Sequence, residues 1–177
     1  MKLFLKIAAA IDEINLRVTF LASWLTLAMV LVQFLIVVSR YVFGTGSVQL
    51  QESILYMHGI LFLIAAGGTL LADEHVRVDI FYRGLSFRHR AWVNLIGSLV
   101  FLMPVCLLIL VNSWNYVGQS WTVMEGSRDP GGIQAIYLLK TFILLFGIGL
   151  GAQGLSQAIK ALAVLTGHHH EPQSGAA

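Results

Sequence analysis

Inside the apolar stretches of this chain, the side chains able to do polar chemistry are few: Gln33, His58, Gln153, Gln157 and some hydroxyls. No Asp, Glu, Lys or Arg lies near the middle of any such stretch. Stranding a charge in hydrocarbon costs at least about 2.5–3.5 kcal/mol, so an ionisable group at that depth would be a functional candidate by default. A pump or ion-coupled carrier working alone needs a carboxylate or paired charges there, and this chain has none. His58 invites a haem reading, but bis-histidine ligation needs a second histidine at matching depth, and His75 and His89 fall in a connecting loop. A hydrogen bond from His58 to a neighbouring helix is the expectation. The run His168, His169, His170 is a weak metal-binding tract on a polar tail. No catalytic, cofactor or metal site is expected, and the chain is not expected to be an enzyme.

More suggestive is the polar stripe Gln49, Glu52, Tyr56, Gly59, which follows a helical repeat. Glu52 should sit at about the depth of Arg40 and Lys140, so it is expected to pair with one of them, the alternative being a solvated carboxylate. Small residues mark close approaches between helices: Gly147 and Gly151 are four apart, Gly149 and Gly154 lie beside them, and Ala65, Gly67, Gly68 and Thr69 thin another stretch. They serve either this chain's own packing or a partner's. Cys106, the single cysteine, lies in an apolar run and reads as a small core hydrophobe.

The elements that must position these residues follow from composition. Of 177 residues, 57% are hydrophobic and 11% charged, against about 25% charged in soluble domains. The charges cluster between apolar runs, the pattern of a chain whose solvent alternates between lipid and water. A net charge of +2 gives no reason to expect nucleic acid. Crossing a bilayer takes about 20 apolar residues at 1.5 Å each. Four stretches qualify, about 18–38, 54–72, 93–111 and 138–158. The fold class is therefore an all-α membrane protein. The first span is too long for a signal peptide, with Arg40 and Tyr41 where a cleavage site would lie, and is expected to be retained. Pro104 should disturb the third, because it lacks a backbone donor and clashes one turn earlier.

Direction follows from the basic residues. With the N-terminus inside, Lys2, Lys6, Arg17, Arg77, Arg83, Arg88, Arg90 and Lys160 are cytoplasmic, and only Arg40, Arg128 and Lys140 lie outside. Both termini are then cytoplasmic, in a multi-pass inner-membrane protein surrounded by lipid. Two stretches read as interfacial amphipathic helices: Phe4, Ile7, Ile11 and Ile14 on the inner leaflet, and Trp114, Val117, Trp121 and Met124 on the outer side, where the alternative is an extension of the third span. One domain covers 1–167, and 168–177 reads as a disordered tail.

Several segments, taken in order, resemble one family. They are Arg40-Tyr41-Val42-Phe43-Gly44, Gln51-Glu52, His75-Val76-Arg77-Val78-Asp79, Ser127-Arg128-Asp129-Pro130-Gly131-Gly132, Tyr137-Leu138-Leu139-Lys140 and Gln153-Gly154. Over about 15–160 the chain resembles the small permease subunit, of the DctQ type, of tripartite ATP-independent periplasmic (TRAP) transporters. The resemblance implies two partners: a large membrane subunit that moves the solute, here an organic acid, with sodium coupling, and a periplasmic solute-binding protein that captures it. It implies a small subunit without a transport site. It also draws attention to His75, Arg77, Asp79, Ser127 and Gly132 as structural or interface positions. In the His75–Asp79 loop, Asp79 can pair with Arg77 or Arg83 while the valines anchor the segment to the leaflet, unless the cluster is simply solvated. The rival from another class is a haem- or quinone-type membrane anchor of a respiratory enzyme. A self-contained small exporter lacks its required carboxylate.

Overall fold

The computed structural model describes residues 1–75, 82 and 84–168. The loop residues Arg77 and Asp79, and the tail beyond His168, lie outside the described residues. Helix α1 is Lys2–Val42 and α2 is Val48–Leu71. Next comes α3, Phe87–Ile96, which runs through a π-helical stretch, Gly97–Leu102, into α4, Met103–Thr122. Helix α5 is Ile136–Leu165. By length and composition, α1, α2, the α3–α4 rod and α5 can each cross a membrane. Every expected span lies on one of them, Ala72 being the C-cap of α2.

Short-range chemistry explains the boundaries. At the end of α1, Gly44 takes φ +67°, a left-handed backbone that costs glycine little, and the Thr45 amide turns back to the Ser39 carbonyl at 3.0 Å. Ser47 opens α2, its hydroxyl accepting from the Leu50 amide at 3.4 Å. The disturbance expected at Pro104 takes the form of the π-helical stretch: the Met103 amide bonds the Ser98 carbonyl, five residues back, immediately before the proline. A wide turn absorbs the donor that proline lacks and the bulk of its ring.

The two amphipathic stretches are not separate elements. Phe4 to Ile14 is the first part of an unbroken α1, and Trp114 to Trp121 is the last part of α4. Neither contains the proline or glycine pair that would break a helix at those points. In α1, moreover, Ala8, Asp12 and Asn15 are held against α5 by hydrogen bonds, which keep this segment alongside the membrane helices.

Helix α5 is the hub. It packs against α1, α2, α3, the π-helical stretch and α4, while α1 and α2 also pack on each other. Its sequence allows this, since Gly147, Gly151, Gly154, Ser156, Ala158, Ala161 and Ala163 are all buried along it. A Cβ on Gly154 would come within 2.6 Å of Leu102, and one on Gly147 within 2.9 Å of Leu110, while Gly151 lies over Cys106. The Gly147–Gly151 pair therefore seats the chain's own third span. Across the α1–α2 contact, a Cβ on Gly67 would fall 2.5 Å from the Asn15 side-chain oxygen, and Gly68 abuts Thr19. Large apolar side chains such as Trp24, Leu31, Phe34, Phe62, Phe101 and Leu108 point outward. Only lipid or another protein's apolar face suits such a surface.

Candidate functional site: two interhelical polar clusters

Two polar clusters hold the helices together, one toward each end of α5. Near its Lys160 end, Gln153 is 2% exposed and lies between two partners on α1. Its oxygen accepts from Asn15 Nδ2 at 2.7 Å, and its Nε2 donates to Asp12 Oδ1 at 2.9 Å. The Ser156 hydroxyl donates to the same Asp12 oxygen at 2.7 Å, with the Ala8 carbonyl at 3.2 Å as a second acceptor. Lys160 forms an ion pair with the other Asp12 oxygen. Gln153, Ser156 and Lys160 are spaced by three and four residues and so share one face of α5; Ala8, Asp12 and Asn15 repeat that spacing on α1. Ser98 on the π-helical stretch donates to Gln157 at 3.1 Å and ties in the third span.

The second cluster folds the connection between α4 and α5. Glu52, on α2, accepts from the Ser127 hydroxyl and from the Ile133 backbone amide. Ser127 also accepts from the Asp129 amide at 3.1 Å, the Ser127 amide donates to the Ile133 carbonyl at 3.2 Å, and Tyr56 on α2 donates to that carbonyl at 3.4 Å. Gly132 is pressed against Ser127 and Glu52, leaving no room for a side chain. Beside this turn, Lys140 pairs with Glu125 and lies 4.0 Å from the Tyr116 ring centre. The Lys140 ammonium, and after it the Ser120 hydroxyl, hold the Glu125 carboxyl below the usual carboxylate range. Trp121 donates to Thr141 at 2.9 Å and meets Tyr137 edge-on at 4.8 Å.

Several expectations change. Glu52 does not pair with Arg40 or Lys140. Arg40 is exposed in the last turn of α1, and Lys140 is engaged by Glu125, so Glu52 is satisfied by a hydroxyl and a backbone amide instead. His58 makes no hydrogen bond to a neighbouring helix among the described residues; it is exposed on α2, at a groove whose lining also includes the exposed His75. Among the candidates, then, Glu52, Ser127 and Gly132 come together, Lys140 lies in the adjoining pair with Glu125, Gln153 centres the other cluster, and Gly147 and Gly151 form the α5–α4 seam. Asp12, Asn15, Ser156 and Glu125 escaped the sequence reading. The shared spacing on α1 and α5 was the signal for the first three, whereas Glu125 sits in a turn where no periodicity applies.

Chemically, these clusters are closed: each carboxylate among them already holds donors from its neighbours, and they join helices. Among the described residues, no group of three or more histidine, cysteine or acidic side chains could hold a metal ion. No curated protein and no solved structure matches the chain. One family does match, over residues 29–164, described as tripartite ATP-independent periplasmic transporters, DctQ component. That match covers most of the chain and agrees with four apolar helices joined by internally satisfied polar clusters: this multi-pass inner-membrane protein belongs to the DctQ family, as the small subunit of a TRAP transporter.

Proposed function

We propose that this subunit is a rigid scaffold. It braces a large permease subunit that carries an organic acid with sodium coupling, the acid being delivered by a periplasmic solute-binding protein. The observation behind the reading is that, among the described residues, the side chains of the two interhelical clusters are spent on one another. Asp12, Lys160, Gln153 and Asn15 close one end of α5, while Glu52, Ser127, Glu125 and Lys140 close the other. Fixed cross-links of this kind suit a part that stays still while its partner moves. The bias of lysine and arginine toward one side supports an orientation with both termini in the cytoplasm and the Ser127–Gly132 turn in the periplasm. There the turn, with Trp114 beside it, offers a surface for docking the binding protein.

Uptake by cells expressing all three components should vanish when this chain is omitted, and vesicles holding this chain alone should show no solute flux. Flux through the isolated chain would end the scaffold reading. In a Cys106→Ala background, a periplasmic thiol reagent should label Arg128→Cys and spare Arg88→Cys. The reverse pattern would overturn the orientation.

A further inference from the structure

Between α3 and α5, toward the Lys160 end of the latter, lies a pocket of about 470 Å³, inside the range of roughly 300–1,000 Å³ in which small-ligand sites fall. Arg90, Ala91 and Asn94 line it from α3, and Gln157, Lys160 and Ala161 from α5. Ala91 and Ala161 are buried and small, so the two helices part there without large side chains to fill the gap. Deeper in the bundle, the Ser98 hydroxyl donates to Gln157 at 3.1 Å and draws the helices together again. We infer that this pocket binds the phosphodiester headgroup of a phospholipid from the adjoining leaflet, with Arg90 and Lys160 on the phosphate and Asp73, which also lines the pocket, on a donor of the headgroup. The inference needs the four-helix fold and not the scaffold reading.

The cations are held in place before any ligand arrives. Arg90 donates from Nε to the Leu85 carbonyl at 3.0 Å, and its guanidinium lies 5.4 Å from the centre of the Tyr82 ring, which is itself fixed by a hydroxyl bond to Asn94 at 3.2 Å. Lys160 is steadied by its ion pair with Asp12. A guanidinium has five donors and an ammonium three, so each can engage a phosphate while keeping its contact within the chain. Depth then selects a lipid over a dissolved anion. Arg90 comes three residues before the expected third span and Lys160 two residues after the expected fourth, which sets both at headgroup level, with the exposed Trp92 beside them. From Arg90, exposed Val93 and Val100 continue into the membrane along one side of the third span and offer an acyl chain its path. Asp73 narrows the headgroup: a carboxylate in the same pocket favours an ethanolamine or glycerol group, which carries donors, over choline, which carries none.

Native mass spectrometry of the full chain in mild detergent tests the site. One phospholipid should stay bound per chain, and phosphatidylethanolamine or phosphatidylglycerol added back to delipidated protein should bind more tightly than phosphatidylcholine. Arg90→Gln should lower binding about fivefold, the effect of one basic contact near a membrane surface. Arg88→Gln makes the same charge change two positions away, on an exposed side chain outside the pocket, and should leave binding unaltered. Val164→Trp keeps every charge but fills the pocket that Val164 helps to line, and should also expel the lipid; it tests the site independently if Arg90→Gln folds poorly.

Equal lipid binding by the wild type, Arg90→Gln and Val164→Trp would place any bound lipid elsewhere on the surface and overturn the assignment. Displacement of the lipid by excess inorganic phosphate would overturn it too, in favour of a site for a dissolved anion. Retention of phosphatidylcholine as tight as that of the other two lipids would remove Asp73 from the site and refute the headgroup assignment.

Discussion

Gln153→Met tests whether the buried amide is what fastens α1 to α5. Methionine nearly conserves volume and flexibility, so packing around position 153 is retained while both hydrogen bonds are lost. Interhelical hydrogen bonds in membranes average about 0.6 kcal/mol and reach about 1.7, so the bonds to Asn15 and Asp12 together account for roughly 1–3 kcal/mol. Asn15 adds to this. It is only 7% exposed, and its Nδ2 loses its acceptor in a space closed by Gly67, so part of a further 1–3 kcal/mol penalty for a stranded buried group applies. A total loss of about 2–4 kcal/mol is expected, read from reversible unfolding of the purified subunit in mixed micelles. Asn15→Ala, alone and combined with Gln153→Met, completes a double-mutant cycle in which coupling of at least about 0.6 kcal/mol is expected. A loss below about 0.5 kcal/mol, or strict additivity of the two changes, would show that the cluster only decorates a contact held by apolar packing.

Other consequences can be measured on the same preparation. Gly67→Ala should destabilise by about 1–3 kcal/mol, because the new methyl meets an Asn15 side chain that Gln153 holds in place; Gly118→Ala, with nothing within 4 Å, should be neutral or gain up to about 1 kcal/mol. Glu125 has a folded pKa below its ordinary value of 4.5, so its contribution is fully present above that pH and is lost as pH falls through the folded value. Amide exchange across residues 123–135, corrected for its intrinsic pH dependence, should accelerate below pH 4.5, and Glu125→Gln should abolish that step. Glu52→Ala removes both acceptors, so the Ile133 amide should exchange faster while the α1–α5 cluster stays protected; unchanged exchange at Ile133 would exclude the Glu52 contact.

Much of this architecture was legible in the residues themselves. Hydrocarbon leaves a backbone no partner but itself, so apolar runs of span length must be helices, and the gaps between them must be turns. Pro104 announced a defect in the third span because a missing donor acts locally, wherever the helix lies. The family resemblance rested on the order of short segments, a linear property as well. Pairing between helices is different, because it depends on how each rod is rotated and how deeply it sits. Glu52, Arg40 and Lys140 were plausible neighbours by depth, yet the turn after α4 delivers Ser127 and the Ile133 amide to Glu52 and leaves Lys140 to Glu125. Asp12 and Gln153 lie 141 positions apart, and neither names the other as its partner until α1 and α5 are laid side by side. The α1 segment that looked like a surface helix is fastened to α5 for the same reason: its greasy face is visible in the sequence, but the hydrogen-bond partners that hold it belong to the far end of the chain.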